Sequence, residues 1–264
     1  MKRFVKFSVI VFNICIILAV GIASALLLAS SHGYYKDQFE KNGIYSTIKD
    51  GKEVRKIIYY VDGNPDIYAF LSDEHYDIII DHVIDYLFGD KTSFELTLDG
   101  VYIFGVGDTS DVSIFGDDAV SHMEDVRLLV RSAIIIGIAS ALISASLLAF
   151  FIIKRRECSK FLLRYTGYFY MGAAIFVAGF CIFTLFTSLW AETPYLYQLW
   201  GNLHYLLFPF QPEKYENSYL ADPLPQILSL ELFITALLWV LLSIAVAVAL
   251  WITVAHLIKR KSAL

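Results

Sequence analysis

The chain has 264 residues, of which 57% are apolar and 18% charged, against roughly 45–50% and about 25% in a soluble globular domain. Its net charge is −5, with no extended basic run or glycine-rich repeat to mark a nucleic-acid surface. Composition and length exclude a soluble domain and a large multi-domain enzyme, and point to an integral membrane protein.

An uncharged stretch of roughly 20 residues is needed to cross the hydrocarbon of a bilayer. Residues 7–29 supply the first, uncharged throughout. Lys2-Arg3 and the Ala/Ser-rich end of this stretch invite a signal-peptide reading. Its apolar part exceeds the usual length of such a segment, so a retained helix is expected. In the hundred residues that follow, 56–61 reads as a strand ending at Asp62-Gly63. Ser72-Asp73-Glu74 opens a helix as N-cap and acidic first turn. Tyr76, Ile79, Ile80, Val83 and Leu87 recur at helical spacing, and Gly89 stops it. Phe94, Leu96 and Leu98 alternate, Asp99-Gly100 is a hairpin signal, and Val101 with Ile103 continues beyond it. Gly105-Val106-Gly107 lacks the third glycine of a dinucleotide fingerprint and reads as a turn.

Asp117-Asp118 caps a helix that passes through His122 and Arg131 into a second uncharged stretch, 132–153. A third, 165–190, is rich in aromatic residues, and a fourth, 230–258, is uncharged after Glu231 and stopped by Lys259-Arg260-Lys261. The segment 195–229, with Pro209, Pro212, Pro223 and Pro225, is expected to be irregular and to lie over the membrane surface. The expected architecture is a mostly α membrane protein of four transmembrane helices with a small α+β extracellular cap. Its divisions are 1–29, the first helix; 30–131, the cap and the helix leading into span two; 132–190, spans two and three; 191–229, a second outer loop; and 230–264, the last span and tail.

The segments 1–6, 154–164 and 259–264 carry eleven Lys and Arg against one acid, Glu157. The two larger loops, 30–131 and 191–229, carry ten basic residues and 24 acidic ones. The positive-inside rule therefore puts both termini in the cytoplasm and the cap outside the cell membrane. Cys15, Cys158 and Cys181 then lie in spans or on the inner side, and they lack the spacing of a zinc site or disulfide scaffold.

Motifs of serine hydrolases and zinc proteases are absent, which leaves six histidines. His256 and His32 sit at span ends. His75 and His82 fall among Asp73, Asp77, Asp81 and Asp85 on one helix and read as a solvated polar face rather than metal ligands. His122 lies just before span two, with Asp125 one turn on to orient its ring and with Arg127 and Arg131 able to meet Glu124 or lipid phosphates. His204 lies in the second loop beside Trp200. Both map to the junction of cap and membrane. Spacing alone leaves two readings open, interfacial histidines bonded to backbone or headgroup, and reactive groups.

The element Phe115-x(6)-His122-Met123-x-Asp125-Val126 before span two, in a four-span chain with a large first outer loop, resembles the lipoprotein intramolecular transacylase family of Gram-positive bacteria. A second, more degenerate element would be His204, Phe208 and Asp222-Pro223-Leu224. A tryptophan usual after the second histidine is replaced by Tyr215 or Tyr219, and a proline before the last span by Ser229. The resemblance implies an enzyme, an acyltransferase acting on membrane-anchored diacyl lipoproteins. It would move the sn-2 acyl chain of the diacylglyceryl-cysteine to the free N-terminal amine and leave the lyso form. It also implies His122 and His204 as catalytic residues, with Asp125 and Asp222 supporting them and Arg127, Arg131 and Trp200 facing the substrate headgroup.

Ester-to-amide exchange is downhill, so neither a cofactor nor a metal is expected. The amine must lose a proton and the leaving oxygen must gain one, work a histidine does near neutral pH. Holding amine and ester in one cyclic geometry lowers the entropic barrier, and the tetrahedral oxyanion needs a donor. His122 is assigned as base and acid and His204 as its partner. The residues also allow exchanged roles or a covalent acyl-histidine. Two rival readings are a non-enzymatic cap that binds a ligand or partner, and an acyltransferase or hydrolase acting on another lipid.

Overall fold

The computed structural model describes residues 2–41, 47–49, 52–58, 68–103, 105–190, 194–207 and 224–262. The chain is mostly α-helical and divides into two compact units. One comprises Met1–Ala25, Ser132–Leu206 and Leu237–Leu264, the other Leu26–Arg131 and Leu207–Ala236.

The helical unit is built on four helices long and apolar enough to cross a membrane. These are α1 (Lys2–Ala29), α4 (Asp117–Ile153), α5 (Arg155–Trp190) and the last helix, α8 (Leu230–Lys261). At 1.5 Å per residue even the 28-residue α1 reaches about 42 Å, beyond the roughly 30 Å of hydrocarbon. Lipid offers no hydrophobic drive to bring such helices together, so close backbone approach and interhelical hydrogen bonds do the work. At Gly137 an added Cβ would lie 3.0 Å from Ile22 Cγ2, which marks where α4 closes on α1. Farther down α1, Asn13 donates to Thr166 Oγ1 of α5 (3.3 Å), and Trp251 Nε1 of α8 donates to the same oxygen (3.2 Å). Asn13 is wholly buried there, among Phe12, Phe151 and Trp251.

The α+β unit is organised by α3 (Asp73–Phe88), which presents Tyr76, Ile79, Ile80, Val83, Tyr86 and Leu87 to one core. Its ends are those expected. Ser72 accepts from the His75 amide (3.3 Å), the His75 ring accepts from the Ser72 amide (3.2 Å), and Gly89 closes the last turn through a bond to Asp85 O. Glycine is required at that stop, because a Cβ would lie 2.7 Å from the Asp85 carbonyl oxygen. Packed on α3 are α2 (His32–Lys41), through Phe39, and the first turns of α4. The short α7 (Leu224–Ile227) and the start of α8 complete the core, with Tyr34 donating to Leu232 O at 2.6 Å.

Among the described residues seven strands complete the unit: β1 (Thr47–Lys49), β2 (Lys52–Ile58), β3 (Tyr68–Leu71), β4 (Thr97–Leu98), β5 (Val101–Ile103), β6 (Gly107–Thr109) and β7 (Val112–Ser113). Five form an antiparallel sheet in the order β1-β2-β3-β5-β6, and β4 pairs with β7. Two sequence expectations change here. Asp99-Gly100 does turn the chain, with Gly100 at φ 68°, but the strands it joins enter different sheets and form no hairpin. The hairpin is β5–β6, and its turn is the Gly105-Val106-Gly107 stretch, with both glycines at positive φ. The strand expected at 56–61 is β2, shifted toward the N-terminus; residues 59–67, with Asp62-Gly63, lie outside the described residues.

The segment after α5 also departs from expectation. Residues Tyr195–Leu207 form a regular helix, α6, where an irregular loop was expected from the prolines. All of those prolines follow α6 in the chain, so they leave its interior intact. Phe208, Tyr215, Tyr219, Asp222 and Pro223 lie outside the described residues.

Candidate active site

His122 is carried by the second turn of α4, in the α+β unit. Four positions on that part of the helix, Ala119, Met123, Val126 and Val130, face the core. This i, i+4, i+7, i+11 stripe locks the rotation of α4. His122 flanks the stripe, half-buried, with its Nδ1 shielded from solvent. Asp125 follows one turn on and is also half-buried.

Arg127 is occupied within the same unit. Its guanidinium lies 4.6 Å from the centre of the Tyr86 ring and reaches Gly89 O at 3.5 Å, bracing α4 against the end of α3. Its Nε is buried and has no hydrogen-bond partner among the described residues. Arg131 is exposed. His204 and Trp200 lie on α6, in the helical unit. Asp222 lies outside the described residues.

Three of the remaining histidines have structural tasks. His82 is not on a solvated face: it is 4% exposed, its Nε2 donates to Phe94 O (3.0 Å), and its Nδ1 accepts from Lys91 Nζ (3.0 Å). Burial holds its pKa below the ordinary imidazole value, and the nearby Lys91 charge acts the same way. His75 closes the capping box and bonds Asp99 O at 2.8 Å. His32 sits between Asp81 (2.8 Å) and Asp77 (3.4 Å), joining α2 to α3. Of the acidic positions that made the α3 histidines look solvated, Asp77 and Asp81 meet His32, while Asp85 lies near His82 and opposes the lowering of its pKa.

Sequence reading missed the attachment of α6. Gln198 Nε2 donates to Asn202 Oδ1 (3.3 Å), and Asn202 Nδ2 donates to Thr184 Oγ1 of α5 (3.3 Å). Two amides four residues apart in an otherwise uncharged, apolar stretch were the available signal, and they mark one face of a helix.

The sequence model of the family described as "Lipoprotein intramolecular transacylase Lit" matches residues 7–192, well over half of the chain. The match takes in α4 with His122 and Asp125 and stops before α6. No curated protein and no solved structure matches the chain.

Proposed function

The chain belongs to the lipoprotein intramolecular transacylase family, and from that premise we propose the reaction it performs and the residues that perform it. The substrate is a membrane-anchored lipoprotein whose N-terminal cysteine bears a diacylglyceryl thioether and a free amine. The amine nitrogen attacks the sn-2 ester carbonyl, the resulting tetrahedral oxyanion collapses, and the carbon–oxygen bond to glycerol breaks. The products are an N-acyl amide and a free glyceryl hydroxyl on the same molecule.

His122 takes the proton from the attacking amine and returns it to the departing glyceryl oxygen, and Asp125 steadies its ring. His204 serves at the oxyanion or the leaving oxygen. Asp222 is assigned a supporting role, and Arg131 and Trp200 line the headgroup level. Arg127 braces α4. The excess of basic residues in the two tails and in the loop 154–164 supports a topology with both termini in the cytoplasm and the α+β unit outside.

One observation carries this reading. The family match covers the helix on which a half-buried histidine is fixed by a core-facing stripe, only ten residues before an uncharged span begins at Ser132. That position suits a base that must meet an ester at headgroup depth.

The test uses the purified chain in vesicles with two synthetic diacylglyceryl-cysteinyl lipopeptides, differing in peptide and in isotopic label on the sn-2 acyl chain. Each lipopeptide is expected to acquire its own label on nitrogen, with no crossover. Labels exchanged between peptides, or acyl chains drawn from the vesicle phospholipid, would overturn the intramolecular reaction.

A further inference from the structure

We infer that Asn202 and Thr184 are positioning residues that set the placement of α6, and through it His204; this rests on the role just proposed for His204. α6 has thirteen residues and no charged side chain. A helix so short is marginal alone, so its position depends on what it is attached to. Beyond a contact between Cys181 and Tyr195 at the very start of α6, the second half of α5 offers little to attach to. From Gly167 to Trp190 that helix is largely bare, and among its described residues only Thr184 (0% exposed) and Ser188 (6%) are fully buried. Thr184 is the residue that Asn202 reaches.

The bond chain is therefore short and directional, from Gln198 to Asn202 on one face of α6, and from Asn202 to Thr184 on α5. Apolar contact alone fixes neither rotation nor register among lipid tails, whereas an amide–hydroxyl bond does. With the hydroxyl gone, the Asn202 amide must find water or a headgroup, and α6 rolls to let it. His204 follows Asn202 by two residues on the same rigid helix, so a roll of α6 moves position 204 through the same angle. A displacement of about 1 Å at a reacting group can cost about a hundredfold in rate.

The experiment compares the wild-type chain with Thr184→Val, Asn202→Leu, their double variant, Thr184→Ser and His204→Ala. Each is assayed in vesicles with the diacylglyceryl-cysteinyl lipopeptide and normalised to folded protein. Thr184→Val and Asn202→Leu are each expected to lower kcat by about tenfold or more. The lipopeptide fraction giving half-maximal rate should change less than kcat, because Trp200 moves with α6 while the contacts of the acyl chains do not change. The double variant should be no slower than the singles, since both remove one bond, and Thr184→Ser should restore the rate to within about twofold. Wild-type rates in Thr184→Val and Asn202→Leu beside an inactive His204→Ala would overturn this inference alone. An active His204→Ala would overturn the role of His204 and this inference with it. A loss in both variants matched by loss of folded protein would show a stabilising contact only, and would also overturn it.

Discussion

The buried His82 gives the α+β unit a pH dependence with a definite sign. Its ring uses one nitrogen as donor to Phe94 O and the other as acceptor from Lys91, which requires the neutral Nε2–H form. Protonation would place a second N–H against the Lys91 ammonium. The native pKa is accordingly lowered, chiefly by burial. The unfolded chain takes up its proton near the ordinary value of about 6.5. Stability is therefore complete above about pH 6.5 and falls on acidification through that value, by up to about 1.4 kcal/mol per pH unit, until the native ring also protonates.

His82→Gln separates charge from hydrogen bonding, since a carboxamide offers the same donor and acceptor without titrating. Near pH 7.5 it should cost no more than about 1–2 kcal/mol, within the range of one imperfect bond. Its stability should then be flatter than wild type between about pH 7 and 5. His82→Ala leaves the Phe94 carbonyl and a cavity in the core, a loss of about 3 kcal/mol near pH 7.5 that narrows on acidification, because the variant lacks the titrating ring. Hydrogen exchange of the α3 amides in the micelle-bound full chain is the suitable assay, corrected for intrinsic rates. All four tryptophans lie outside the α+β unit, so their fluorescence reports the helical unit instead. A His82→Gln variant with the wild-type slope would refute the argument.

Two further outcomes follow from close contacts. Gly89→Ala puts a methyl 2.7 Å from the Asp85 carbonyl oxygen. It should shift the end of α3 and lower stability of the α+β unit by about 1–3 kcal/mol, visible as faster exchange at Tyr86 and Leu87. Thr166→Val removes the oxygen on which Asn13 and Trp251 converge. Interhelical bonds in membranes are worth about 0.6 kcal/mol on average and up to about 1.7, so denaturant titration in micelles should show a loss of about 1–2 kcal/mol with a changed Trp251 environment.

Much of this architecture is legible because its signals are local. The four spans follow from uncharged length, and α3 from its Ser72 cap, helical periodicity and the Gly89 stop. The run of α4 through His122 into a span follows from Asp117-Asp118 and an unbroken helical pattern. What the sequence conceals is partner choice. Nothing near Leu98 or Tyr102 says that one pairs with β7 and the other with β3, since those partners are set by the core. The burial of His82 is hidden in the same way, by acidic neighbours on the same helix, while the ring itself meets Phe94 O and Lys91. α6 is hidden because the prolines beyond it dominate the local signal, while the hydroxyl that Asn202 meets, on Thr184, is distant in sequence. The His122 element is legible by resemblance, and the second element only in part.

The most direct test of the account is mass spectrometry of lipoprotein N-terminal peptides from a host that makes only diacyl lipoproteins. The cells would express wild type, His122→Ala or His204→Ala at matched levels. The account predicts that wild type converts the diacylglyceryl form to the N-acyl, lyso-glyceryl form and that both variants leave it unconverted. Unchanged lipoproteins in cells with well-expressed wild type, or full conversion by the His122→Ala variant, would contradict it.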